Sequence, residues 1–461
     1  MASPNLASGG LLERTFRLRE RHTTVRTEAA AGGTTFMTMA YILAVNPSIL
    51  GDAGMDRGAV FTATCLASIV ATVLMALLSN YPFVLSAGMG LNAYFAYTVV
   101  LKMGYSWQMA LAAVFVEGVV FILLSLTPVR EAVFNAIPMS LKHAVSAGIG
   151  LFIAFIGLQN CGVVVDSSTL VAMYNFSANA GEFSTVGITV ALAMVGILLT
   201  AVLMVRKVKG HILWGMLATW ALGILCQLIG LYDPSVKGSL IPDFSGGFGV
   251  PSLMPTLGQM DFSKALTPDF ALVVFAFLFV DLFDTLGGIM GMAAQSDLLD
   301  EKGRLPRLKG ALLSDAVGTT AGAVLGTSTV TTFAESAAGM AEGGRTGLTG
   351  LFSAALFALS LFLSPIFLAI PSFATAPALV VVGFLMMGSI LKVDFSDCAQ
   401  AIPAFLCVAA MPFLYSISEG IALGVISYVV IHLAAGGEKR RSLNPALCVL
   451  AVLFILKYFF F

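Results

Sequence analysis

Charge is what this chain lacks most. Asp, Glu, Lys and Arg supply only 11% of its 461 residues, against 58% hydrophobic residues and a mean hydropathy of +0.94. That balance excludes a soluble globular domain and implies a polytopic α-helical membrane protein. The apolar runs are continuous and do not alternate, which excludes an outer-membrane barrel. With a net charge of −1 and no basic stripe outside the loops, nucleic acid is not expected as a partner. The four histidines (His22, His143, His211, His432) sit near span ends or in loops without metal-ligand spacing, so no metal or cofactor is expected. The six cysteines are scattered and form no Cys-x-x-Cys, and they read as small apolar packing residues. There is no His-Glu-x-x-His and no phosphate-binding loop, so a zinc hydrolase or nucleotide-driven pump does not fit. Asp281, Asp315 and Pro377-Ala-Leu379 echo an intramembrane aspartyl protease, but the Gly-x-Gly-Asp it needs is missing. The chain is not read as an enzyme. No short apolar stretch with a cleavage site precedes the first span, so no signal peptide is expected.

What is present is a series of apolar runs. Cutting at charge, Pro and Gly clusters predicts fourteen spans: 29–48, 61–79, 84–101, 107–127, 141–158, 186–205, 211–231, 269–293, 309–325, 329–342, 347–364, 371–391, 398–416 and 418–435. A further apolar tail, within 437–461, reads as an interfacial helix or an extra span. With the N-terminal segment 1–28 inside, nineteen basic residues fall in inside loops and four (Arg57, Lys102, Lys237, Lys264) outside. The inside set includes Arg130, Arg206, Lys207, Lys302, Arg304, Lys392 and Lys439. This bias predicts a cytoplasmic N-terminus in a multi-pass protein of the cell membrane. Seven spans, a long outside loop (232–268) and seven more spans suggest two halves of opposite orientation, an architecture of secondary transporters.

Two spans are interrupted, the third and the tenth, in corresponding places of the two halves. The third reads Pro82-Phe-Val-Leu-Ser86-Ala-Gly88-Met-Gly90-Leu-Asn92-Ala-Tyr94, and the tenth Gly326-Thr-Ser-Thr-Val330-Thr-Thr-Phe-Ala-Glu335. Each opens extended and continues as a half-helix. Such backbone survives in a membrane only where protein or a water-filled cavity satisfies it. Asn92 and Glu335 fall near the half-helix mouths, where free N–H groups gather about half a positive charge. A capping box, Thr332-x-x-Glu335, is a compatible reading of the acid. On the eighth span Asp281, Asp284, Thr285 and Gly288 share one helical face at i, i+3, i+4 and i+7. An ionisable group inside a bilayer costs at least a few kcal/mol and is usually functional, although a polar seam between helices is the structural alternative. Asp315 is a further intramembrane acid, read either as a structural hydrogen-bonder or as part of a proton path. It precedes a small-residue ridge at Gly318, Gly322 and Gly326.

Four motifs carry a resemblance: Phe36-Met-Thr-Met-Ala-Tyr-Ile-Leu-Ala-Val-Asn-Pro47, Ala87-Gly-Met-Gly-Leu-Asn92-Ala-Tyr-Phe, Phe279-Val-Asp-Leu-Phe-Asp-Thr-Leu-Gly287 and Gly326-Thr-Ser-Thr-Val-Thr-Thr-Phe-Ala-Glu-Ser-Ala-Ala-Gly339. Together they resemble the AzgA-like branch of the nucleobase–cation symporters, guanine/hypoxanthine and adenine permeases of the xanthine/uracil permease superfamily. The resemblance implies fourteen spans in a seven-plus-seven inverted repeat, with short antiparallel strands in the third and tenth. It implies a core domain, 29–128 with 269–364, and a gate domain, 129–268 with 365–436. It also implies import of a purine nucleobase with a proton, sodium being less favoured, in a fold where dimers occur. Family functional positions match Asn92, Asp281, Asp284 and Glu335. Anion transporters of the same general fold favour neutral or basic residues where Asp281 and Glu335 sit.

A 6-oxopurine offers N–H donors beside a carbonyl, and a carboxylate only accepts. Glu335 is therefore expected to accept from one purine edge. Asp281, with Thr285, is expected to read another edge or hold the proton, with Asp284 and Asp315 also assigned to coupling. Backbone N–H groups at the half-helix mouths, Ala87, Gly88 and Gly90 on one side and Phe333 and Ala334 on the other, are the expected donors to O6 or ring nitrogens. Tyr94 or Phe279 is the candidate stacking ring, and Gly287, Gly288 and Gly291 a surface for sliding. Hypoxanthine, guanine and adenine are not ranked by these residues; 6-oxopurines are preferred on the resemblance.

Overall fold

The computed structural model describes residues 10–127, 137–167, 170–235, 238–244, 247–295, 298, 305–441 and 443–460. Of the charges used to orient the spans, Arg130, Lys237, Lys302 and Arg304 lie outside the described residues. The elements run α1 (Leu11–Phe16), α2 (Val25–Met39), α3 (Ile42–Asp52), α4 (Arg57–Leu78), β1 (Leu85–Ala87) and α5 (Met89–Ala93). A π-helical segment (Tyr94–Lys102) continues α5, followed by α6 (Trp107–Ser125), α7 (Met139–Asn160) and a hairpin of β2 (Val164–Ser167) and β3 (Leu170–Met173). Then come α8 (Ile188–Val205), α9 (His211–Leu228), α10 (Pro268–Gln295), α11 (Leu308–Leu325), β4 (Val330–Thr332), α12 (Ser336–Ala341), α13 (Gly347–Ser360) and α14 (Ser364–Leu368). The chain ends with α15 (Ser372–Met387), α16 (Cys398–Phe413), α17 (Ile417–Ala435), α18 (Gly437–Arg441) and α19 (Pro445–Phe460).

Among the described residues, eight helical stretches are long and apolar enough to cross a membrane. Several other expected spans fall short of that measure for local reasons. The first is not one helix but two, α2 and α3, which meet at Ala40 and Tyr41 ahead of Pro47. Pro47 lies inside α3, where its missing N–H leaves the Leu43 carbonyl without its helical donor, so the junction itself is not made by proline. The third and tenth are each a strand followed by a short helix.

The two interrupted segments meet. β1 and β4 pair antiparallel with Leu85 opposite Thr332, Ser86 opposite Thr331 and Ala87 opposite Val330. Further bonds run from the Gly88 N–H to the Thr329 carbonyl (2.9 Å) and from the Phe333 N–H to the Val84 carbonyl (3.0 Å). A two-stranded sheet has two open edges, and both are closed by a threonine. Thr72 of α4 accepts from the Leu85 N–H (3.1 Å) and donates to its carbonyl (3.3 Å). Thr319 of α11 does the same for Val330, at 3.2 and 2.9 Å. The Val84 N–H finds the Ser336 hydroxyl at 3.0 Å. Backbone that could not survive in hydrocarbon is thus paired inside the protein.

The helices pack in two groups. In one, α4 lies against α11 and α13, α6 against α11, and α2 against α12 and α13, around the strands. In the other, α7 lies against α15 and α16, α8 and α9 against α15, and α16 against α17. α5 and α10 of the first group touch α7 of the second. Close approach needs small residues: a Cβ on Gly150 of α7 would stand 2.5 Å from the Gly383 carbonyl of α15. The ridge on α11 serves the same end, since a Cβ on Gly318 would meet the Ala71 side chain at 2.6 Å. Glu28, fully buried at the start of α2, accepts from the Arg345, Thr346 and Thr349 N–H groups (2.9, 3.3 and 3.1 Å) and from the Thr346 and Thr349 hydroxyls. It caps α13 and so fastens one half to the other.

The tail left open by the sequence runs back along α17. The Tyr458 hydroxyl near the end of α19 bonds Glu419 in the first turn of α17, and Phe454 meets Phe275 of α10 edge-on at 5.9 Å. Leu447, Ala451 and Phe454 are buried along one stripe, while Val449, Val452 and Leu453 are exposed. Lys439 of α18 lies 2.5 Å from Asp397, the N-cap of α16, and its hydrogen bond holds that carboxyl below the usual range.

The edge threonines make a checkable demand. Thr72→Val leaves the Leu85 N–H and carbonyl unpaired, and is expected to cost about 1–3 kcal/mol. Thermal unfolding in detergent should show a lower Tm for Thr72→Val and a near-normal one for Thr72→Ser.

Candidate functional site

The extended run Thr327-Ser-Thr-Val-Thr331 has four hydroxyls, and each lies beside a side chain from a different helix. Asn46 of α3 donates to Thr327 at 2.9 Å and also to Thr64 at 2.7 Å. The Ser328 hydroxyl donates to the Asn92 carbonyl oxygen on α5. Thr329 donates to Glu117 of α6 at 2.9 Å. Thr331 lies beside Asp284 of α10. On the opposite strand Ser86 pairs with Ser68 of α4 at 2.8 Å. The broken segment is therefore held at a fixed place among α3, α5, α6 and α10.

Helix α10 turns its expected face inward. Asp281 and Thr285 are fully buried, and Asp284 is half-buried. Thr285 reaches two carboxylates with one hydroxyl, Asp281 at 3.0 Å and Asp315 of α11 at 2.9 Å. Asp315 is also fully buried. Asp284, one turn on, lies near both Asp315 and Glu335. Gly288 follows on the same face, where a Cβ would stand 3.6 Å from the Thr332 carbonyl.

Glu335 stands at the mouth of α12 as its N-cap residue, but its side chain makes no cap bond. It turns to Tyr41, whose hydroxyl donates to Oε1 at 2.6 Å. The Thr332 hydroxyl has no partner. The Thr332-x-x-Glu335 capping box is therefore not formed. Val330 to Phe333 and Ser336 are buried, yet Glu335 is half-buried and Ala334 exposed. The acid thus lies on accessible space in an otherwise closed region. Asn92 is fully buried and its Nδ2 amide has no partner, which leaves a donor at the other half-helix.

Two of the expected backbone donors are already used. The Gly88 and Phe333 N–H groups close the strand ladder, because the antiparallel register reaches one residue past each strand. Gly90 is buried, with Ile149 2.5 Å from where its Cβ would be. Ala87 lies on β1 and is buried; of the expected mouth residues Ala334 is accessible. The ring of Tyr94 packs edge-on against Phe277 at 4.8 Å, and Phe279 lies 5.8 Å from Phe275.

Sequence reasoning missed Tyr41, Asn46 and Glu117. Tyr41 and Asn46 sit within a quoted motif but carry no mark of function as isolated residues. Glu117 was legible: it is fully buried in the apolar helix Trp107–Ser125, and the argument applied to Asp281 applies to it equally. Among the described residues, no group of His, Cys, Asp and Glu could hold a metal ion.

The profile of a family described as "Permease family" matches residues 26–457. The chain is 44% identical over 449 residues to the guanine/hypoxanthine permease PbuO of Bacillus subtilis (strain 168), covering 96% of this chain and 99% of that protein. It is 41% identical over 452 residues to the adenine permease AdeP of Escherichia coli (strain K12), covering 98% and 96%. Its fold is shared with the transmembrane domain of the cyanobacterial bicarbonate transporter BicA, at a TM-score of 0.62 and 16% identity, over 90% of this chain and 98% of that one.

The shared hydroxyl of Thr285 generates a prediction. Thr285→Val removes the hydroxyl that both Asp281 and Asp315 contact and should cost about 1–3 kcal/mol. Thermal unfolding should report the loss, and Thr285→Ser should recover it.

Proposed function

The chain belongs to the xanthine/uracil permease family, and we propose that it is a secondary active transporter importing purine nucleobases by proton symport. The observation that carries this reading is Glu335, an accessible carboxylate held by Tyr41 at the meeting point of the two broken spans. The relatives named above, permeases for guanine/hypoxanthine and for adenine, support the substrate class.

Guanine presents adjacent N1–H and 2-amino donors and hypoxanthine its N1–H, from which a carboxylate can accept, and both carry a carbonyl that an amide can meet. Glu335 takes the N–H edge. The free Nδ2 of Asn92 donates to the carbonyl or a ring nitrogen. Asp284 lies between Glu335 and the buried Asp281–Thr285–Asp315 set, so it links the accessible acid to the buried ones. That buried set is the seat of the coupled proton. A proton there in the loaded carrier, released on the inner side, drives accumulation. Adenine is the second reading, favoured by the likeness to AdeP; its amino group reverses donor and acceptor at the 6-position.

The helix group around the strands, 29–128 with 269–364, is the core that carries the substrate. The group built on α7, α15 and α16, 129–268 with 365–436, is the gate. Their relative movement, elevator-like or rocking, exposes the site to either side of the cell membrane, with the N-terminus cytoplasmic. The Lys209–Glu342 ion pair (2.7 Å) joins loops of the two groups and is re-formed or broken by that movement.

Radiolabelled hypoxanthine uptake into proteoliposomes under an imposed inward proton gradient tests the function. Accumulation that depends on the gradient and is blocked by unlabelled guanine is the expected result; blocking by adenine widens the substrate class. Failure of any purine to accumulate in folded, inserted protein, with a sodium gradient substituted as well, overturns it. Glu335→Gln is expected to weaken purine binding by about ten- to a hundredfold, the loss of a charged acceptor. Asp281→Asn should abolish concentrative uptake while leaving the protein in the membrane and purine exchange active. Near-normal accumulation by either variant removes that residue from the assignment.

A further inference from the structure

A cavity of about 150 Å³ lies between the two helix groups, at the end of the molecule where the 232–268 loop joins α10. Its walls come from the π-helical segment, the first turns of α10, the turn before α17, and Phe454 of α19. Most of the lining surface is apolar, with Thr98, Lys102, Asp269, Ser416, Ser418 and Glu419 as the polar residues. Small-molecule sites share this mix of apolar walls and a few polar groups, though they are commonly about 300 Å³ or larger. Lys102 is engaged, donating to the Leu414 carbonyl at 2.6 Å. Thr98 is not: it is 3% exposed, and its hydroxyl has no partner and is itself closed off from the cavity.

The cavity stands next to the central site. Tyr94 lines it and follows Asn92 by two residues, while Val273 and Ala276 line it from α10, one to two turns before Asp281. Tyr94 packs edge-on against Phe277, both rings buried and 4.8 Å apart. Cavities of this volume hold a single aromatic ring in protein interiors. A fused two-ring base needs more room than this, so its binding here requires the two helix groups to part.

We propose that this cavity is a second nucleobase site, occupied on the way between the outside and the Glu335 site. The proposal rests on the transport reading above. The base enters flat between Leu272 and Phe454, its N–H edge faces Glu419 or Asp269, and its carbonyl accepts from Thr98 once that side chain turns toward it. The Tyr94–Phe277 pair is the septum through which it passes inward. Because one wall belongs to each helix group, the site forms and empties with their relative movement. Phe454 closes the cavity on one side, and the Tyr458 bond to Glu419 holds α19 in that place.

Equilibrium binding of radiolabelled hypoxanthine to the purified full chain, alongside proteoliposome uptake, tests the site. Wild type is expected to show a tight class and a weaker class of binding. Glu335→Gln should remove the tight class and leave the weaker one. Thr98→Val should do the reverse and raise the uptake KM by about three- to tenfold, the effect of one hydrogen bond. Retained tight binding shows that Thr98→Val is folded, and Thr98→Ser should restore the weaker class. Glu419→Gln should weaken the same class. If Thr98→Val leaves both the isotherm and KM unchanged, the second site is wrong and the transport reading stands. If wild type binds no purine at all, the transport reading fails and this site fails with it.

Discussion

Everything in this protein that looks functional depends on one constraint: broken backbone inside a membrane must find all its hydrogen bonds within the protein. The chain meets it by bringing its two breaks together. β1 and β4 satisfy each other on the inner edge, and Thr72 and Thr319 close the outer edges. The hydroxyls of Thr327, Ser328 and Thr329 then hold Asn46, Asn92 and Glu117 in place, with Asp284 beside Thr331. The same bonds that make the break tolerable therefore position polar groups from three helices around it.

The carboxylates divide by accessibility. Asp281 and Asp315 are shut in and share Thr285, whereas Glu335 and Asp284 are half-buried beside them. A group that meets a solute must be reachable, and a group that holds a coupled proton gains from being sealed. The arrangement offers both within one cluster. Tyr41 matters here because it holds Glu335 away from the capping position that the sequence around it would otherwise favour.

Much of the fold was legible. The breaks at Pro82–Tyr94 and Gly326–Glu335 were visible because Gly, Ser and Thr interrupt apolar runs, and the shared face of Asp281, Asp284 and Thr285 follows from helical spacing alone. Less visible was the break between α2 and α3 at Ala40 and Tyr41, which no Pro or Gly marks in the sequence. The donor role expected of Gly88 and Phe333 did not survive, because strand pairing extends a residue beyond the strands at each end and uses both N–H groups.

The sequence by itself determined the membrane class, the two interrupted spans and the presence of acids inside them, since composition and periodicity are local properties. Tertiary structure alone decided who partners whom. Asn46 and Thr327 are 281 residues apart, Ser328 and Asn92 236, and Thr329 and Glu117 212. No local pattern encodes such pairings. They follow from how helices with small-residue contacts, such as Gly150 against Gly383, settle against one another, and from the rule that each polar group left inside must end beside another.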